Sequence, residues 1–204
     1  MFSAIACNRL DRRRRAIVDA ARQLFIEQGF ERTTLGEIVE RAGGSLSTVY
    51  KLFGNKDGLF EAVVTEQSAS GEAIIRDVAS TPGITRVEAL HAIAGRLHAL
   101  FLDPDVVALV RMVIGRSIND PVSARAFYER TSSRTSAALE DMFARWADEG
   151  VAMAYPPAMM AELFMDQFVS QIHNEAINLG VNAKHSPEHT RARTDFFIRG
   201  ASLG

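Results

Sequence analysis

The sequence predicts an all-α fold, with a small N-terminal three-helix domain containing a helix-turn-helix and a larger helical domain behind it. Three observations carry this. Threonine and glutamate recur at the T-x-x-E spacing of a helix-capping box, at Thr34–Glu37 and Thr85–Glu88. Apolar residues repeat at three to four positions through most of the 204 residues, and no β-strand pattern competes with that period. Glycine, Asp-Pro and Ser-Pro pairs fall where the periodic segments begin and end.

Residues 1–11 read as an irregular tail leading into four consecutive arginines, Arg12 to Arg15. The first helix follows to Gln28, with Ile17, Ala20, Ala21, Leu24 and Phe25 as its core stripe, and Gly29 stops it. Phe30 anchors the next loop in the small core. Thr34 caps a second helix in which Ile38, Val39 and Ala42 form the apolar side. Gly43-Gly44 ends it, because glycine enters the left-handed backbone region that a sharp exit demands. Ser45 caps a third helix with Val49, Leu52 and Phe53 inward, leaving Leu46, Ser47, Thr48, Tyr50 and Lys51 on its exposed face. Two helices joined this tightly cross steeply, a geometry that projects the second toward a DNA major groove.

Asn55 caps a fourth helix with Leu59, Phe60, Val63 and Val64 along one stripe, expected to join the two domains. The boundary is expected at residues 65 and 66, dividing the chain into 1–65 and 66–204. After a turn at Ser80-Thr81-Pro82-Gly83, a helix runs from the Thr85 cap to about Phe101. Asp103-Pro104 and Asp120-Pro121 each place an acceptor at a cap and proline at the first helical residue. The second of these helices reaches about Asp148, before Gly150, with Phe127, Leu139, Met142, Phe143 and Trp146 among its buried candidates. Pro157 to Leu179 is the most apolar long helix, closed by Gly180, and Ser186-Pro187 starts the last one, which holds Phe196, Phe197 and Ile198. A helix apolar around much of its circumference buries more than one face. In a chain of this size the second face meets another copy, so a homodimer through the last two long helices is expected.

Charge is distributed unevenly. Residues 1–60 hold ten Lys or Arg against seven Asp or Glu, a net +3 that leaves −5 for the remainder of a chain whose formal net charge is −2. The basic excess coincides with the helix-turn-helix, where contact with phosphates would release counterions. A single cysteine, Cys7, forms no intrachain disulfide, and no C-x-x-C metal spacing occurs. Asp103-x-Asp105 lacks the glycine and later glutamate of a calcium loop. With no apolar run of membrane-spanning length and no signal-peptide pattern, a cytoplasmic protein is expected. Catalytic motifs are missing as well: no P-loop, dinucleotide fingerprint, G-x-S-x-G or H-E-x-x-H. No enzyme activity, cofactor or metal is therefore expected.

Ala21, Leu24, Phe25, Gly29, Phe30, Thr33, Thr34, Ile38, Ala42 and Gly43 stand in the order A-x-x-L-F-x-x-x-G-F-x-x-T-T-x-x-x-I-x-x-x-A-G. They are followed by Ser45, Thr48, Tyr50, Phe53, Lys56 and Leu59 as S-x-x-T-x-Y-x-x-F-x-x-K-x-x-L. Over these first sixty residues the chain resembles the TetR family of transcriptional regulators. From Val87 to Gly180 it resembles, less specifically, that family's AefR-like effector domain, through R-x-E-A-L at 86–90 and A-R-A-F-Y at 124–128. The resemblance implies a helix-turn-helix DNA-binding domain and a helical ligand-binding and dimerisation domain. It implies a repressor that binds a palindromic operator in double-stranded DNA as a homodimer and is released by a small, largely apolar effector. The alternative left open is a constitutive or architectural DNA-binding protein without an effector.

Under that resemblance the candidate DNA interface comprises Arg12, Arg13, Arg14, Arg15, Thr33, Thr34, Ser45, Leu46, Ser47, Thr48, Tyr50, Lys51 and Lys56. Side-chain chemistry sorts them. The hydroxyls of Thr34, Thr48 and Tyr50 and the Lys56 ammonium suit phosphates, and the arginine run suits phosphates or a neighbouring minor groove, although it also reads as a solubilising cluster. Ser47 and Lys51 suit base edges, and Leu46 suits a thymine methyl. Two positions depart from the family pattern: Leu46 replaces a frequent basic residue, predicting a changed sequence preference, and Gly44 replaces an apolar turn residue, predicting a looser turn. Effector-lining candidates are His98, Arg111, Met112, Arg116, Phe164, Gln167, Phe168, Gln171 and Asn174, which interrupt or line apolar helical faces. Each has a plainer reading as a packed core side chain, a satisfied histidine, or an arginine paired with Glu162 or Asp166.

Overall fold

The computed structural model describes the backbone of residues 2–119, 121–178 and 186–203, and the side chains of 9–67, 69–118, 134–178 and 186–203. Among these residues all regular structure is helical, in nine helices. They are α1 (Phe2–Gln28), α2 (Leu35–Ala42), α3 (Leu46–Phe53), α4 (Lys56–Ala79), α5 (Arg86–Phe101), α6 (Pro104–Asn119), α7 (Pro121–Asp148), α8 (Pro157–Asn178) and α9 (Pro187–Gly200). They divide between two compact units, Met1–Glu66 and Gln67–Gly204.

In the first unit α2 packs on both α1 and α3. Its core includes the expected stripe of α1, Ile38, Val49, and Leu59, Phe60, Val63 and Val64 of α4. Phe25, Phe30 and Phe60 meet as a triad with ring centroids 5.2 to 5.4 Å apart, so the loop after α1 is held by aromatic packing. One expectation is corrected. The tail at 1–11 is not irregular, because α1 begins at Phe2. No glycine or proline interrupts Phe2–Gln28, so extending the helix backwards adds one hydrogen bond per residue without a new nucleus.

The second unit packs α8 against α5, α6, α7 and α9, with α9 also lying on α5. Its core runs from Ile75 and Val78 through Leu90, Ile93 and Leu97 to Leu139, Met142, Phe143, Phe164 and Phe168. The caps are those the spacing indicates. Thr85 and Glu88 form a complete capping box, the Asp103 carboxylate accepts from the Asp105 amide at 2.9 Å, and Ser186 Oγ accepts from the His189 amide at 3.3 Å. The expected cap at Asp120, the stop at Leu179 and Gly180, and the side chains of Cys7 and Phe127 lie outside the described residues. At Gly71 of α4 the side chain of Thr135 on α7 fills the space a side chain would take. A Cβ there would sit 2.5 Å from Thr135 Oγ1.

Candidate nucleic-acid interface

The helix-turn-helix is assembled from short polar contacts. Glu37 Oε2 accepts from both the amide and the hydroxyl of Thr34 at 2.8 Å, while Thr34 Oγ1 accepts from the Glu37 amide at 3.2 Å. Those bonds, first the backbone one, hold the Glu37 carboxyl below the usual carboxylate range. The guanidinium of Arg41 donates to both oxygens of Glu27 on α1 at 2.8 and 2.9 Å, which lowers the Glu27 pKa and raises that of Arg41. At the turn, Gly43 and Gly44 have φ of 68° and 121°, a region that favours glycine. Ser45 Oγ accepts from the Thr48 amide at 3.3 Å and lies 2.8 Å from Ser47 Oγ and 3.1 Å from Thr48 Oγ1.

These caps fix which face of α3 is outward. Val49 is fully buried, and Leu46, Ser47, Tyr50 and Lys51 are exposed. At 100° per residue the four outward side chains occupy an arc of about 140°. Leu46 is 44% and Tyr50 55% exposed, so a leucine and an aromatic ring face solvent on a helix whose other apolar side chains pack inward. That face can supply hydroxyls, an ammonium and a methyl-matching apolar group together.

The outcome for the other candidates is mixed. Thr34 and Ser45 are exposed but spend their side chains as caps, and Thr48 is half-buried. Thr33 is corrected: it is buried, and its hydroxyl is spent inside the domain on the carbonyls of Gly29 (2.8 Å) and Leu24 (3.2 Å). Lys56, expected on a phosphate, is engaged within the domain in this structure. Its ammonium, which has three donors, lies 2.9, 3.0 and 3.3 Å from the carbonyls of Phe30, Thr33 and Glu31, and 4.4 Å from the Phe30 ring centroid. It clasps the α1–α2 loop to the start of α4.

The arginine run forms no extended arm, since all four lie within α1 and point around its axis. Arg12 to Arg15 are exposed. Arg13 Nη1 donates to Gly43 O at 2.7 Å and Ala42 O at 3.4 Å. Arg14 lies over the Phe53 ring at 5.5 Å and 3.8 Å from Glu66. The turn expected to be loose is thus braced by Arg13, which occupies the side that Gly44 leaves bare. Gly58 was also missed from the sequence. A Cβ there would fall 2.1 Å from Phe53 O, so the end of α3 rests directly on α4. A glycine in the first turn of a helix, where no turn needs it, was the available signal.

Residues 17–63 match the family model of bacterial regulatory proteins of the tetR family, and residues 88–199 match that of the AefR-like transcriptional repressor C-terminal domain. The chain belongs to the TetR family. It is 26% identical over 197 residues to the HTH-type transcriptional regulator YvkB of Bacillus subtilis (strain 168), covering 91% of this chain and 95% of that one. The crystal structure of a TetR-family transcriptional regulator from Mesorhizobium loti MAFF303099 is similar with a TM-score of 0.81 and 30% identity, over 95% of this chain and 98% of that one. The flavonoid-responsive regulator FrrA is similar with a TM-score of 0.66 and 25% identity, over 94% and 97%. This TetR-family chain is accordingly a DNA-binding transcriptional regulator.

In the second unit of this TetR-family regulator the effector candidates separate into four groups. Phe164 and Phe168 are fully buried and packed edge-on to each other at 5.5 Å, with Phe197 against Phe164 and Phe101 against Phe168, so they are core packing. His98 and Gln171 form a polar cluster with α9: His98 Nδ1 lies 2.8 Å from Thr190 Oγ1 and 3.4 Å from Gln171 Oε1, with Gln171 and Thr190 buried. Met112 and Arg116 are half-buried on α6, whereas Arg111 and Asn174 are exposed. Gln167 instead lines a groove of about 600 Å³ between α8 and α9, walled by Tyr155, Leu163, Phe196 and Phe197. Its amide nitrogen donates to Phe164 O at 2.9 Å, while its buried Oε1 has no hydrogen-bond partner among the described residues. No group of three or more potential metal ligands occurs among the described residues, and no helix there is long and apolar enough to cross a membrane.

Proposed function

We propose that the protein is a repressor that binds a two-fold-symmetric operator as a homodimer, with Ser47 and Lys51 meeting base edges, Leu46 a thymine methyl, and Thr48 and Tyr50 phosphates. The observation that carries this is the outward face of α3, capped at Ser45 and presenting Leu46, Ser47, Tyr50 and Lys51 together. Repression is supported by the AefR-like repressor model over residues 88–199. Dimerisation through α8 and α9 is supported by the apolar groove between them and by Leu163 and Phe196, 45% and 75% exposed beside it.

Release by a small, largely apolar effector is supported by the responsiveness that FrrA's name records and by the His98–Gln171–Thr190 cluster, polar groups set in an apolar bundle. An effector changes DNA affinity only by binding one conformation more tightly than the other. The protein is assigned to the cytoplasm, with its DNA. The test is selection of binding sites from random duplex DNA by the purified protein. A two-fold-symmetric site is expected, with Lys51→Ala relaxing preference at one position per half-site; enrichment of no site by the folded protein would overturn the proposal.

A further inference from the structure

We propose that Arg13 is a positioning residue for DNA reading, clasping the turn between α2 and α3 and so setting the angle at which α3 is presented. This rests on the assignment of α3 as the reader. The last carbonyls of a helix have no intrahelical partner. At the end of α3 the chain meets one of them itself, with the Gly54 amide donating to Tyr50 O at 2.9 Å. At the end of α2 the guanidinium of Arg13, thirty residues earlier in the chain, takes Gly43 O at 2.7 Å and reaches Ala42 O at 3.4 Å.

The guanidinium rests against the bare backbone of both glycines. A Cβ on either Gly43 or Gly44 would lie 3.4 Å from Arg13 Nη1, at van der Waals contact. A positive charge at a helix C-terminus is also favoured by the helix dipole. Arg41–Glu27 and Gln28–Glu37 bind α2 to α1 elsewhere along its length, and the Arg13 contact is the one that falls at the turn itself. Rotation about the Gly43 backbone that swings its carbonyl aside would break it. The clasp therefore restrains the first of the two glycines through which α3 is joined to α2.

The test compares Arg13→Ala and Arg13→Lys with the unaltered protein, measuring affinity for the selected operator and for unrelated duplex DNA at several salt concentrations. A positioning role predicts that Arg13→Ala weakens operator binding about ten-fold, the equivalent of one charge-assisted hydrogen bond, while affinity for unrelated DNA and the salt slope stay unchanged. Arg13→Lys, which keeps the charge on a shorter side chain whose ammonium falls short of the seat of Nη1, is expected to lose operator preference in the same direction. The lysine variant carries the test if the alanine variant fails to fold. Three results overturn the inference: equal weakening on both DNAs with the salt slope falling by about one, which marks a phosphate ligand; full rescue by lysine; or no change in either variant. Failure of the unaltered protein to enrich any site overturns the reader assignment, and this inference with it.

Discussion

The two units of this chain are held by different forces. In residues 1–66 the helices that matter for DNA are eight residues each, too short to persist alone. Their placement rests on named polar contacts: two caps, the Arg41–Glu27 pair, the Arg13 clasp and the Lys56 clasp. In residues 67–204 helices of 14 to 28 residues bury a continuous apolar core, and polar contacts are secondary. A reader must keep one face of α3 outward for DNA, so the small core under Ile38 and Val49 is supplemented by these polar contacts. The regulatory unit has no such obligation over most of its surface.

That contrast can be broken or sharpened by substitution. The largest effect is expected from Phe164→Ala, which empties a fully buried aromatic site: a loss of about 4 kcal/mol, seen as faster hydrogen exchange across α5, α8 and α9 with α1 to α3 little changed. Equal loosening of both units would show that they do not stand separately. Next is Gly58→Ala, where the added methyl meets a backbone carbonyl that cannot swing aside; about 3 kcal/mol is expected, with exchange now accelerated in α2 and α3. Lys56→Met removes three carbonyl contacts but keeps the apolar stem, for a loss of about 2 kcal/mol in the first unit. Its salt slope on DNA should be unaltered, and a slope reduced by about one would restore the phosphate role.

The smallest effect follows from Glu37. Its folded pKa is lowered from an ordinary 4.5, so the ionised capping box contributes fully above that value, and the contribution fades as pH falls from 4.5 through the lower folded pKa. Acid titration of the α2 amide signals should show this step, and Glu37→Gln should remove it. A step persisting in the glutamine variant would assign it to another carboxylate.

Much of the fold was legible because its signals are local. Thr34 with Glu37, Thr85 with Glu88, Ser45, Asp103 and Ser186 announce helix starts through hydrogen bonds that span two or three residues. The outward face of α3 was readable for the same reason, since helical period alone separates Val49 from Tyr50 and Lys51. At the start of α1 no cap or apolar stripe marks the helix, which reaches back to Phe2 where no glycine or proline breaks it.

What the sequence by itself determined is therefore the set of helices, the turn that carries the reader and the residues that face out from it, all consequences of hydrogen bonds and periodicity within a few positions. Only the tertiary structure decided which polar side chains remain for DNA. Thr33, Lys56 and Arg13 carry groups suited to phosphates, but each lies within 3 Å of a carbonyl, and for Lys56 and Arg13 that carbonyl is more than twenty residues away. Chemistry assigns what a side chain can bind, and packing decides what reaches it first.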